Sequence, residues 1–76
     1  MNRKRRAILK NAKDHLGVAS VLISQALDEE EDCLGNLPDS LTDGDRYEKM
    51  ESAVDALNDA SENIDAAIDK INEAIL

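Results

Sequence analysis

The chain has 76 residues and a formal net charge of −8, from seventeen Asp and Glu against nine Lys and Arg. It has no Phe, no Trp and a single tyrosine, Tyr47, so a domain already short enough to be marginal as a monomer also lacks the side chains that usually fill a small core. Leu, Ile, Val and Ala must supply the burial, which favours long helix interfaces and oligomerisation, and the lone Cys33 excludes an intramolecular disulfide or a cysteine-based metal site.

From its start the chain is basic: Arg3, Lys4, Arg5, Arg6, Lys10 and Lys13 are six of its nine cations, and the acids all lie beyond them. The basic opening is not followed by an uninterrupted apolar segment, because Lys10, Lys13, Asp14 and His15 intervene, so no secretory leader is expected. The uncharged run 16–27 is too short to span a bilayer, which needs about 20 residues. The expectation is a soluble, cytoplasmic chain with no membrane contact.

The first helix is expected over about 3–33. Its seam is Leu9, Ala12, Leu16, Ala19, Ile23 and Ala26, in the alternation of three and four residues that places side chains on one face of a helix. Ile8, Leu22 and Leu27 flank it, Val18 and Val21 turn away from it, and Gly17, Ser20 and Ser24 add small side chains on an adjoining face. The run Asp28, Glu29, Glu30, Glu31, Asp32 closes this helix. Gly35 suits a left-handed stop and Pro38 prevents continuation.

A loop is expected over about 34–42, with one short turn at Pro38-Asp39-Ser40-Leu41. Thr42 reads as the N-cap of the second helix, with Asp45 as its capping-box partner. Asp43, Asp45 and Glu48 then complement the dipole of that terminus.

The second helix, over about 43–75, keeps an unbroken heptad. Met50, Val54, Leu57, Ser61, Ile64, Ile68, Ile71 and Ile75 form the seam, and Ala53, Ala60, Ala67 and Ala74 recur beside it at every seventh residue. Such a repeat is the seam of a coiled coil, and small side chains let a second backbone come close. Two helices of about 45 Å joined by a short loop must lie antiparallel. The fold class is therefore all-α: an antiparallel two-helix coiled-coil hairpin, with apolar stripes broad enough to predict a dimeric four-helix bundle or a higher oligomer. Folded this way, the basic start of the first helix lies beside Asp65, Asp69 and Glu73, and ion pairs between them are expected.

Chemistry is sparse. His15 is the only histidine and has no nucleophile or metal-spaced partner, and the glycines are scattered rather than gathered in a phosphate loop. Asp39, Asp43 and Asp45 surround a turn, but glycine and glutamate do not fall where a calcium loop needs them. No enzyme, cofactor or metal is expected.

Binding candidates remain. Arg3, Lys4, Arg5 and Arg6 cover all sides of a helix, and Arg46, Tyr47 and Lys49 sit near a helix N-terminus, where anions are favoured. Both could hold a small phosphorylated ligand. Extended nucleic acid is disfavoured by the acidic remainder and by the absence of stacking aromatics among the cations. For a protein partner the candidates are the acidic row Asp55, Asp59 and Glu62 and the apolar pair Val18 and Val21.

The stretch Leu37-Pro38-Asp39-Ser40-Leu41, then Arg46-Tyr47-Glu48-Lys49-Met50-Glu51, Ala53-Val54-Asp55-Ala56-Leu57 and Ile64-Asp65-Ala66-Ala67-Ile68, resembles small acidic helical-hairpin proteins of phages and prophages of Gram-positive bacteria. The resemblance spans most of the chain and implies a genomic setting rather than site residues. It makes the expected function non-catalytic binding to a host (defence) protein through an oligomeric helical surface. The alternatives are an oligomeric sponge for a small nucleotide immune signal and a structural coiled-coil module of a phage assembly. The expected partners are the chain itself and a host protein, or a small phosphorylated ligand.

Overall fold

In the computed structural model, residues 1–38, 40 and 44–76 are described. Two helices, α1 (Arg3–Gly35) and α2 (Asp45–Ala74), pack side by side in a rod 59 Å long and 15 × 14 Å across. The hairpin is antiparallel. Near its open end the Lys13 ammonium donates to Asn72 Oδ1 at 3.0 Å, and Arg6 reaches the backbone carbonyl of Leu76 at 3.5 Å. This register brings Leu16 level with about Ile68, Leu27 with about Leu57 and Leu34 with about Met50, at the common helical rise.

α1 begins where Asn2 caps it. Asn2 has extended backbone, and its side-chain carbonyl accepts the Arg5 N–H at 2.8 Å while its backbone carbonyl accepts that of Arg6 at 3.1 Å. One of the N–H groups that a helix start leaves without a partner is thereby satisfied. Asparagine immediately before a helical run is a signal the sequence already carried.

At its other end α1 runs to Gly35, two residues beyond expectation, and the stop is not left-handed. No described glycine has a positive φ. Instead the Asn36 N–H closes on Asp32 O at 3.1 Å and the Leu37 N–H tightens onto Leu34 O at 3.4 Å. Pro38, which has no N–H to offer, follows. The ring also restricts the residue before it, so the chain leaves the helix without needing the special freedom of glycine.

α2 starts at Asp45 rather than near residue 43. Its N-cap is Gly44, in extended conformation and without a side-chain cap, and the Glu48 N–H bonds to the Gly44 carbonyl at 3.2 Å. The expected cap Thr42 lies outside the described residues, as do Asp39, Leu41 and Asp43. Asp45 and Glu48 do occupy the first turn, where carboxylates favour the helix dipole.

Along α2, Met50, Val54, Leu57, Ser61, Ile64, Ile68, Ile71 and Ile75 are half-buried, with Ala53, Ala60 and Ala67 beside them. Ala74 is exposed. In its turn Ile71 and Ile75 take the inner positions, and a methyl between two isoleucines is the group left outside.

In α1, Leu9, Ala12, Leu16, Ala19 and Ile23 are half-buried as expected, but Ala26 is exposed and Leu27 is turned inward. The larger side chain removes more apolar area from water, at about 25 cal/mol per Å². The inward row of α1 therefore continues through Leu27, Glu30 and Leu34 to the half-buried Leu37.

Among the described residues none is fully buried. The accessible surface is 5713 Å², whereas a folded monomer of this mass has about 4,600 Å². A two-helix hairpin offers one contact face per helix, so every seam residue keeps one side open to water. No helix among the described residues is long and apolar enough to cross a membrane.

Candidate interaction surfaces

Four groups of candidate side chains fall on different parts of the rod. The Arg3–Arg6 cluster opens α1 at the free end, beside the C-terminus of α2. Arg3, Lys4 and Arg5 are exposed and Arg6 is half-buried, donating through Nε to Met1 O at 3.2 Å and through Nη2 to Leu76 O at 3.5 Å. The expected ion pairs with Asp65, Asp69 and Glu73 do not form. Among the described residues the single ion pair is Lys70–Glu73, within α2, at 3.1 Å and with both side chains mostly exposed. Asp65, Asp69 and Glu73 all stay exposed. The cations that do reach α2 end on an amide and a backbone carbonyl instead.

Arg46, Tyr47 and Lys49 stand in the first turns of α2, at the loop end. The antiparallel fold therefore separates them from Arg3–Arg6 by most of the length of the rod, and no site on a single hairpin contains both groups. Arg46 and Lys49 are exposed, and Tyr47 is half-buried with an interaction of its own. A shallow depression at this end is lined by Asp45, Glu48, Lys49 and Ser52. Two carboxylates against one ammonium give it the wrong sign for a phosphate.

The acidic row is one surface. Asp55, Asp59 and Glu62, spaced four and three residues apart, lie on one face of α2 over about 10 Å, and all three are exposed. Asp69 and Glu73 continue the exposure of acids toward the helix end. No described residue of α2 is a large apolar side chain exposed on that helix, so its outer side is mainly polar, with only Ala56, Ala66 and Ala74 among the exposed apolar residues.

On α1 the outer side is different. Val18 and Val21 are 62% and 68% exposed, and Leu22 and Ile8, which the sequence placed merely on the flanks, are 60% and 57% exposed. Val18, Val21 and Leu22 lie within about one helical turn of one another and form one small apolar patch, from which Ile8 is separated by the exposed Asn11, Asp14 and His15. His15 borders it. Its ring Nδ1–H donates to the Asn11 carbonyl at 2.8 Å, and with Asp14 and Val18 it lines a second shallow depression. Cys33, near the end of α1, is exposed.

Among the described residues no three His, Cys, Asp or Glu side chains converge as a metal-ligand set. Of the turn carboxylates considered for calcium, Asp39 and Asp43 lie outside the described residues. The arrangement offers helical faces of contrasting character: a polar, acidic one on α2 and an apolar one on α1. The chain matches no family model, no curated protein and no solved structure.

Proposed function

We propose that this chain is a non-catalytic binding protein, phage-encoded and acting in the cytoplasm of the bacterial host, that presents the outer face of α2 to a basic surface of a host protein. The observation that carries this reading is the row Asp55, Asp59 and Glu62. All three are exposed on one face of an uninterrupted helix, and the one ion pair among the described residues lies elsewhere. A row of carboxylates held in line by a rigid helix steers a basic partner and sets its orientation. It does so without a pocket, a nucleophile or a cofactor.

Presentation as an oligomer is part of the proposal. A hairpin in which no described residue is fully buried gains most of its remaining stability by covering apolar surface with another chain.

The nucleotide-sponge reading is weaker, because the depression beside Lys49 is lined by Asp45 and Glu48, whose carboxylates disfavour a phosphate. A purely structural module would depend on the seam and be indifferent to the acidic row.

Affinity purification from host cells, followed by quantitative mass spectrometry, separates these readings. The comparison is between wild type and the triple reversal Asp55→Lys, Asp59→Lys, Glu62→Lys. A host protein held by the wild type and lost from the reversed chain at unchanged helix content is the expected result. A stoichiometric phosphorylated small molecule retained by the wild type and lost in Arg46→Ala would instead establish sequestration and refute the protein-binding proposal.

A further inference from the structure

We infer that two copies of the hairpin pair through the outer faces of α1, antiparallel about a two-fold axis near the middle of that helix. This deepens the oligomeric part of the proposed function and rests on it.

Three observations select this face and this direction. The large apolar side chains exposed within the described helices, Ile8, Val18, Val21 and Leu22, all lie on α1. The outer side of α2 carries acids that would repel a second copy of themselves.

The charges then set the direction. Val18, Val21 and Leu22 sit at the centre of α1, which runs from Arg3 to Gly35. An antiparallel two-fold at that centre brings residue 10 of one copy level with about residue 28 of the other, at equal rise per residue. The basic opening of each α1 thus lies along the acidic run Asp28–Asp32 of its neighbour. Lys4, Lys10, Asp28, Glu29 and Asp32 are exposed and have no ion-pair partner within the described hairpin. α1 also has no acid in its first turn and no base in its last, so each end opposes its own dipole. Antiparallel pairing supplies the missing charge at both ends, whereas parallel pairing would stack like on like.

The same pairing sets the Arg46 end of one copy beside Arg3–Arg6 of the other. The acids of both α1 and the first turn of α2 lie there as well, so that end is charge-balanced rather than an anion pocket.

The native Cys33 makes the geometry measurable. Lys4 and Cys33 are both exposed and fall on the same outer row of α1 as Val18. Along one helix they are about 43 Å apart, far beyond the roughly 7 Å between Cα atoms that a disulfide can bridge. A bond between positions 4 and 33 must therefore join two chains. The full-length Lys4→Cys variant and the wild type would be oxidised with oxidised glutathione, run on non-reducing gels and peptide-mapped. Sedimentation would be measured in parallel for the wild type and for Val21→Glu, with circular dichroism as the check on helix content.

The expected result is a covalent dimer linked 4–33 in Lys4→Cys only. The wild type should sediment at twice its chain mass of 8.3 kDa, and Val21→Glu at half that value with its helices retained. A wild type that sediments as a single chain overturns this pairing together with the oligomeric reading above. An oligomer that survives Val21→Glu and gives no 4–33 bond overturns the α1 face alone and leaves oligomerisation standing. A Cys33–Cys33 bond in the wild type overturns the antiparallel direction.

Discussion

Replacing Gly17 with alanine should stabilise the protein, and the magnitude follows from the structure. Gly17 lies near the middle of α1, a helix from Arg3 to Gly35, at a half-buried position with no positive φ among the described glycines. A Cβ built there meets no atom within 4 Å. The hairpin therefore does not need glycine for conformation or for clearance. Its backbone entropy in a helix interior costs about 0.8–1 kcal/mol relative to alanine, and the substitution should recover that amount. For a domain of this size about 1 kcal/mol corresponds to roughly 4–8 °C in Tm. Thermal unfolding followed by circular dichroism at several protein concentrations measures it, concentration being varied because assembly contributes to apparent stability. An unchanged or lowered Tm would refute the reasoning. In that case the space beside Gly17, open in one hairpin, is filled by a second chain whose backbone approaches too closely for a methyl group.

Two further outcomes follow from the fold. Asn2→Ala removes the acceptor of the Arg5 N–H and should destabilise by about 0.5–2 kcal/mol; Asn2→Ser should restore most of the loss in the same thermal assay, and a silent Asn2→Ala would mean that water replaces the cap. Ile64→Asp places a charge in the half-buried seam between the helices and should cost about 2 kcal/mol or more. Far-ultraviolet circular dichroism at low concentration would show it as lost helix, and a fully helical variant would mean that the seam of α2 does not hold the hairpin.

How the helices pair is where sequence and structure part. In α1 the alternation Leu9, Ala12, Leu16, Ala19, Ile23, Ala26 and its neighbour ending in Leu27 and Leu34 are equally periodic. Only packing against α2 turned Leu27 inward and left Ala26 in water. The same is true of the polar contacts. Six early cations facing several late acids made ion pairs the natural expectation, yet Lys13 found Asn72, Arg6 found a backbone carbonyl, and Glu73 found Lys70 of its own helix. Long flexible side chains choose among partners within reach, and which partner is within reach depends on a register that no single helix contains. The exposed apolar surface of α1 was half legible: Val18 and Val21 were read as turned away from the seam, while Leu22 and Ile8 were left exposed only once α2 had taken its side of the helix.

By itself the sequence determined that there are two helices, about where each lies, and that a loop this short folds them antiparallel, because helical periodicity and chain reach are local properties. The tertiary structure decided the register, the inward row of α1 and the manner in which each helix ends. Asn36 and Leu37 close α1 through backbone hydrogen bonds without a left-handed glycine, and Gly44 opens α2 without a side-chain cap. It also decided that the Arg3–Arg6 and Arg46–Lys49 groups are kept apart while the acids of α2 and the valines of α1 face outward on separate sides. Those outcomes depend on which groups are brought level when one helix lies along the other, and that comparison of non-local contacts is made only in the folded chain.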